Sequence, residues 1–106
     1  MSGKQPAECR DMGDVRAEID RLDTALVELI GERFGYVERA WQIKMQENGT
    51  ANVPWRNQQV VDRVRAKAEA VGVPPDLCEA LWRQMIGWFI QYEEEKLKKE
   101  LGDGNA

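Results

Sequence analysis

Residues 28–44 read "ELIGERFGYVERAWQIK" and continue a helical apolar period that begins near Val15. At about 100° per residue from Val15, residues Ile19, Leu22, Leu26, Leu29, Ile30, Val37 and Ala40 fall within about 60° of one line. Arg33 and Lys44 fall on that same line, at about 0° and 20°. Long cations are seldom buried without a partner, so the stripe implies an anion beside it. From Gly13 to about Glu47 no proline interrupts, which predicts one helix of about 34 residues, on the order of 50 Å long. Gly31 and Gly35 weaken it without ending it. A helix this long exceeds what one small domain needs and leans on another copy of itself.

Outward from this helix, "NGTANVP" (48–54) is a break rich in turn formers. A second helix is expected from about Trp55 to Val71, with Val60, Val64 and Val71 on one face and Gly72 as its stop. "VPP" (73–75) connects to a third helix that Asp76 helps to start and that runs to about Leu101. Its apolar arc takes in Leu77, Leu81, Trp82, Met85, Ile86, Trp88, Phe89 and Tyr92. Residues 1–11 read as a flexible lead-in, 12–101 as one helical domain and 102–106 as a fraying tail. No β-type alternation persists, so the expected class is all-α with three helices per chain.

Composition narrows the function. The chain has 106 residues, enough for one domain. A formal net charge of −4 with dispersed basic residues disfavours nucleic acid as a partner. No apolar run reaches membrane-spanning length and no leader pattern opens the chain, so a cytoplasmic protein is expected. Cys9 and Cys78 match no metal or redox spacing, and the sequence contains no His. A zinc site and a His-activated nucleophile are therefore set aside.

Each polar intruder has an ordinary explanation. Arg33 alone would snorkel or pair with a glutamate, and Lys44 alone would suit the end of a helix. Together they lie almost three whole turns apart on one face, about 16 Å along the axis, and can hold opposite ends of a small anion. Arg56 stands at the start of the second helix, where a cation gains nothing from the helix dipole. Arg16 flanks the stripe and by itself passes for a surface residue. Glu93 falls about 20° from Ile86 and 40° from Phe89, inside the apolar arc, whereas Glu94 and Glu95 read as solvated.

The segment "DVRAEIDRLDTALVELIGERFGYVERAWQIK" (14–44) resembles the first helix of the all-α chorismate mutases. An Arg precedes an I-D-x-L-D core, a second Arg follows near mid-helix, and a Lys comes eleven residues later. "VPWR" (53–56) and "LWRQMIGWFIQYEE" (81–94) fit the family's second and third helices. The entry "CRDMGDVR" (9–16) looks closest to the subgroup that includes isochorismate-pyruvate lyases. The resemblance covers about residues 12–97. It implies an intertwined homodimer whose two equivalent active sites are shared between protomers. Arg16 would bind a substrate carboxylate across the subunit boundary, and Arg33 would bind the second carboxylate. Lys44 would contact the ether oxygen and a carboxylate, and Arg56 would close over the substrate.

Glu93 aligns with a family glutamine that donates to the ether oxygen; to donate, it has to carry a proton. Asn57 stands where the family has a carboxylate that reads the ring hydroxyl. The implied reaction is the pericyclic rearrangement of chorismate to prephenate, which belongs to aromatic amino-acid biosynthesis and needs no cofactor or metal. Elimination of pyruvate from isochorismate is the alternative, and mutase action on an amino analogue of chorismate is a weaker one. A non-catalytic helical interaction module would need only the apolar stripe, and would be stabilised by Arg33→Leu.

Overall fold

The computed structural model describes residues 3–47 and 49–102. Three α-helices follow in order: α1 (Met12–Glu47), α2 (Pro54–Ala70) and α3 (Pro75–Leu97). A 3-10 turn at Pro6–Glu8 precedes them and a π turn at Lys98–Gly102 follows. The described residues contain no strand, and the all-α class expected from the periodicity is what the chain adopts. α1 has 36 residues, close to the unbroken run read from the sequence. α3 ends four residues before Leu101 because its last turn widens into the π turn. Asn48 and the expected tail beyond residue 102 lie outside the described residues.

The chain divides after Tyr36 into two units, residues 1–36 and 37–106. In the first, the start of α1 is capped by side chains. The Asp14 N–H donates to Asp11 Oδ1 at 2.9 Å, which satisfies one of the free donors at the helix start. Asp14 Oδ2 accepts from the Arg10 N–H at 2.9 Å and pairs with Lys4 at 3.2 Å. These contacts, the Arg10 hydrogen bond first, hold the Asp14 carboxyl below its usual range. No residue of α1 is buried. Ile19, Leu22, Leu26, Leu29 and Ile30 are each about half exposed or more, so the chain itself does not cover the apolar stripe.

In the second unit, α2 packs on α3. The buried positions of α2 are Val61 and Ala68, seven residues apart and hence two turns along one face. The face expected from Val60, Val64 and Val71 is therefore rotated by about 70°. Val71 is 60% exposed because it lies beyond the last helical turn, where it is the C-cap. Gly72 follows at φ +80°, a left-handed conformation that glycine adopts without strain. The Val73 N–H then reaches the Ala68 carbonyl at 2.8 Å and the Gly72 N–H reaches that of Glu69 at 3.3 Å. This paired closure is a Schellman stop. Pro75 opens α3 at a position where its missing N–H costs nothing. On α3 the buried residues are Glu93 and Leu97.

Candidate active site

Lys44 belongs to the last turn of α1, and Glu93 lies four residues before the end of α3. Lys44 Nζ donates to Glu93 Oε1 at 2.8 Å and to the Ala51 carbonyl oxygen at 3.2 Å. The Glu93 side chain is only 7% exposed and that of Lys44 25%, so the pair is withdrawn from water at its acidic end. An ammonium group has three N–H donors. Two are taken by these acceptors, which leaves a third N–H.

The loop after α1 holds the lysine stem. The Gly49 N–H donates to the Lys44 carbonyl at 2.7 Å, and the chain passes so close that a Cβ at Gly49 would stand 3.3 Å from Lys44 Cβ and Cγ. Glycine permits this approach.

Ile86, Ile90 and Glu93 lie on one face of α3, within about 60°. The first two line a cleft of about 430 Å³ with Gly87, Arg83, Asn52, Pro54, Asn57 and Gln58. That volume suits a small molecule. Asn57 donates to Asn52 Oδ1 at 2.8 Å, and Arg83 is held by Glu79 at 2.6 Å and Gln58 at 3.2 Å. The cleft is thus of mixed character: Pro54, Ile86, Gly87 and Ile90 face three amides and one arginine.

Of the residues singled out from sequence, the structure brings Lys44 and Glu93 into contact. Arg56 is in the first turn of α2, exposed, and donates to Gln59 Oε1 at 2.6 Å. Arg33 is half-buried and Arg16 exposed, both on the part of α1 in the first unit. Glu94 and Glu95 are exposed, as their angular positions on α3 imply.

Sequence reasoning missed the Ala51 carbonyl, because a backbone acceptor has no letter. It also missed the Glu38 carboxylate, which accepts from Trp41 Nε1 at 2.6 Å and from the Tyr92 hydroxyl through a short hydrogen bond. Tyr92 first and Trp41 second hold Glu38 below the ordinary carboxylate range. The same bond, with burial behind it, pushes the Tyr92 hydroxyl up to about 12. The pair therefore stays a phenol donating to a carboxylate throughout the neutral range.

Residues 15–94 match the family described as chorismate mutase type II. The chain belongs to that family. It is 32% identical to an isochorismate pyruvate lyase of Pseudomonas aeruginosa, over 82% of this chain and 85% of the relative. It is 33% identical to a T-protein of Enterobacter agglomerans, over 82% of this chain and 23% of that protein. A bifunctional chorismate mutase/prephenate dehydratase of Aquifex aeolicus is 26% identical over 80% of this chain and 24% of its own length. The chain thus spans about a quarter of these last two relatives and most of the first. No helix among the described residues is long and apolar enough to cross a membrane.

Proposed function

We propose that the chain is a chorismate mutase, converting chorismate to prephenate for aromatic amino-acid biosynthesis in the cytoplasm. The observation that carries this reading is the Lys44 ammonium, oriented by Glu93 and Ala51 with one donor left over. Chorismate is a dianion with an enolpyruvyl ether, and its rearrangement is pericyclic. It requires no nucleophile and no group beyond the chain's own side chains.

Two effects lower the barrier. The flexible enolpyruvyl arm has to lie over the ring in a near-attack geometry, a constraint that is entropically costly in water. Arg16 and Arg33 fix the two carboxylates by charge-assisted hydrogen bonds, and Arg56 closes over them. Negative charge then grows on the ether oxygen as its bond to the ring stretches. Lys44 stabilises it through a donor already in place, so little reorganisation is needed during the reaction. In the ligand-free chain Lys44 and Glu93 form a neutral pair. Glu93 can add a second donor toward the ether oxygen only with a proton on its carboxyl group, since a carboxylate only accepts.

The active unit is a homodimer. Ile19, Leu22, Leu26, Leu29 and Ile30 of α1, with Leu77, Leu81 and Trp88 of α3, are all 46–61% exposed in the single chain. Among the described residues the buried apolar side chains are Ala51, Val61, Ala68 and Leu97. Such a chain gains its core by covering these apolar faces with a second copy, which also carries Arg16 across the subunit boundary.

Elimination of pyruvate from isochorismate, giving salicylate, is the second reading. It is favoured by the Pseudomonas aeruginosa lyase, which this chain matches over 85% of that protein's length. Purified protein incubated separately with chorismate and isochorismate decides between them. The mutase reading expects prephenate, with the larger kcat/KM on chorismate; salicylate as the faster product assigns the lyase. Turnover of neither substrate contradicts both.

A further inference from the structure

A second polar tie joins the last turns of α1 to α3, beside the Lys44–Glu93 pair. Glu38 accepts from the Tyr92 hydroxyl and from Trp41 Nε1. Tyr92 is itself held on both sides. Its ring stacks on Trp88 at 5.5 Å with 12° between planes, and Lys96 Nζ lies 5.5 Å from its centroid. Trp88 in turn meets Phe89 edge-on at 5.2 Å.

The two ties are unevenly spaced. Glu38 and Lys44 are six residues apart on α1, about 9 Å along its axis, whereas Tyr92 and Glu93 are consecutive on α3, about 1.5 Å apart. One tie leaves a helix free to pivot about it, and a second tie off that point removes the rotation. A slip of α3 by one residue would turn Glu93 by about 100° and take it away from Nζ. Apolar packing holds helices together without demanding one angle; a hydrogen bond weakens steeply as its angle departs from linear. We propose that the Glu38–Tyr92 hydrogen bond is a positioning clamp for Lys44, fixing where its remaining donor points. The clamp rests on the reading of Lys44 as the group that meets substrate. Glu38 and Tyr92 touch no reacting atom in this reading and act through the lysine.

The test uses the full chain, with kcat and KM measured on chorismate and folding followed by far-ultraviolet circular dichroism. Tyr92→Phe removes the donor, Glu38→Leu removes the acceptor, and Glu38→Gln keeps an acceptor without the charge. The clamp predicts kcat lower by about tenfold in Tyr92→Phe and Glu38→Leu, with KM within about twofold. Glu38→Gln is expected within about threefold of the parent in kcat. In a Lys44→Gln background, Tyr92→Phe should cost nothing further, because the positioned group is gone.

Parental kcat in Tyr92→Phe, or an equal loss with and without Lys44, overturns the clamp. If Tyr92→Phe does not fold, the two Glu38 variants decide, and equal damage in both overturns it. A Lys44→Gln variant that retains parental activity defeats the site itself, whereas an inactive one beside an unimpaired Tyr92→Phe defeats the clamp alone.

Discussion

Replacing Glu93 by Gln tests the chemistry of the lysine–glutamate pair. Lys44 Nζ stands 2.8 Å from Glu93 Oε1. A substrate oxygen accepting a second N–H at a similar distance, at the tetrahedral angle, would lie about 4.6 Å from that carboxylate oxygen. At an effective dielectric constant of about 20, two full negative charges at that separation repel by about 3.6 kcal/mol. The ether oxygen carries only part of a charge in the transition state, so the expected penalty is about 1.5–3.5 kcal/mol, or about tenfold to several hundredfold in rate. An ionised Glu93 imposes this penalty, and a protonated one does not. Glu93→Gln carries a permanent amide donor and no charge, so its kcat/KM on chorismate should exceed the parent's by at least about tenfold. The assay is kcat/KM on chorismate for both proteins under one set of conditions. A Glu93→Gln enzyme no faster than the parent would refute the reasoning, because Glu93 would then place no repelling charge near the ether oxygen.

Mixing two defective chains tests the shared site. Arg16→Ala and Lys44→Ala should each be inactive alone, yet a dimer with one of each retains one intact site. Co-expressed or refolded together, they should recover about a quarter of the parental activity, and no recovery would place both residues in the same protomer's site. Gly72→Ala should lower thermal or urea stability by about 1 kcal/mol through its left-handed backbone, since a methyl there meets no atom within 4 Å. Gly49→Ala should lower kcat severalfold at nearly unchanged stability, because the added methyl presses on Lys44 Cβ and Cγ from 3.3 Å. Parental kcat in that variant would show that the lysine stem has room to yield.

The sequence carried the helices and singled out Lys44 and Glu93 one by one because these are written as spacing, but it paired Lys44 with Arg33 rather than with Glu93. A run free of proline from Gly13 onward gives α1, which the structure ends at Glu47. Glu93 betrayed itself by its angle relative to Ile86 and Phe89, and it is the one charged residue buried in the described chain. The buried face of α2 was less readable. Ala68 is too small to mark a core position by hydrophobicity, while Val71, larger and in phase with Val64, is outside the helix. The Ala51 carbonyl was invisible, because turns bring backbone groups together without a side-chain pattern. Nothing in the sequence marks Glu38, and only the three-dimensional neighbourhood of Tyr92 and Trp41 separates it from Glu32.

Stabilisation of the developing charge in the proposed mechanism passes through the third N–H of Lys44. The most direct test is kcat/KM on chorismate for Lys44→Gln, a variant that keeps two N–H donors on a side chain one bond shorter and drops the charge. With far-ultraviolet circular dichroism matching the parent, a loss of about a hundredfold to a thousandfold is expected, the usual cost of removing one preorganised donor from a developing oxyanion. A folded Lys44→Gln enzyme that works within about threefold of the parent would contradict the account, since the cation would then be structural and the chemistry would lie elsewhere.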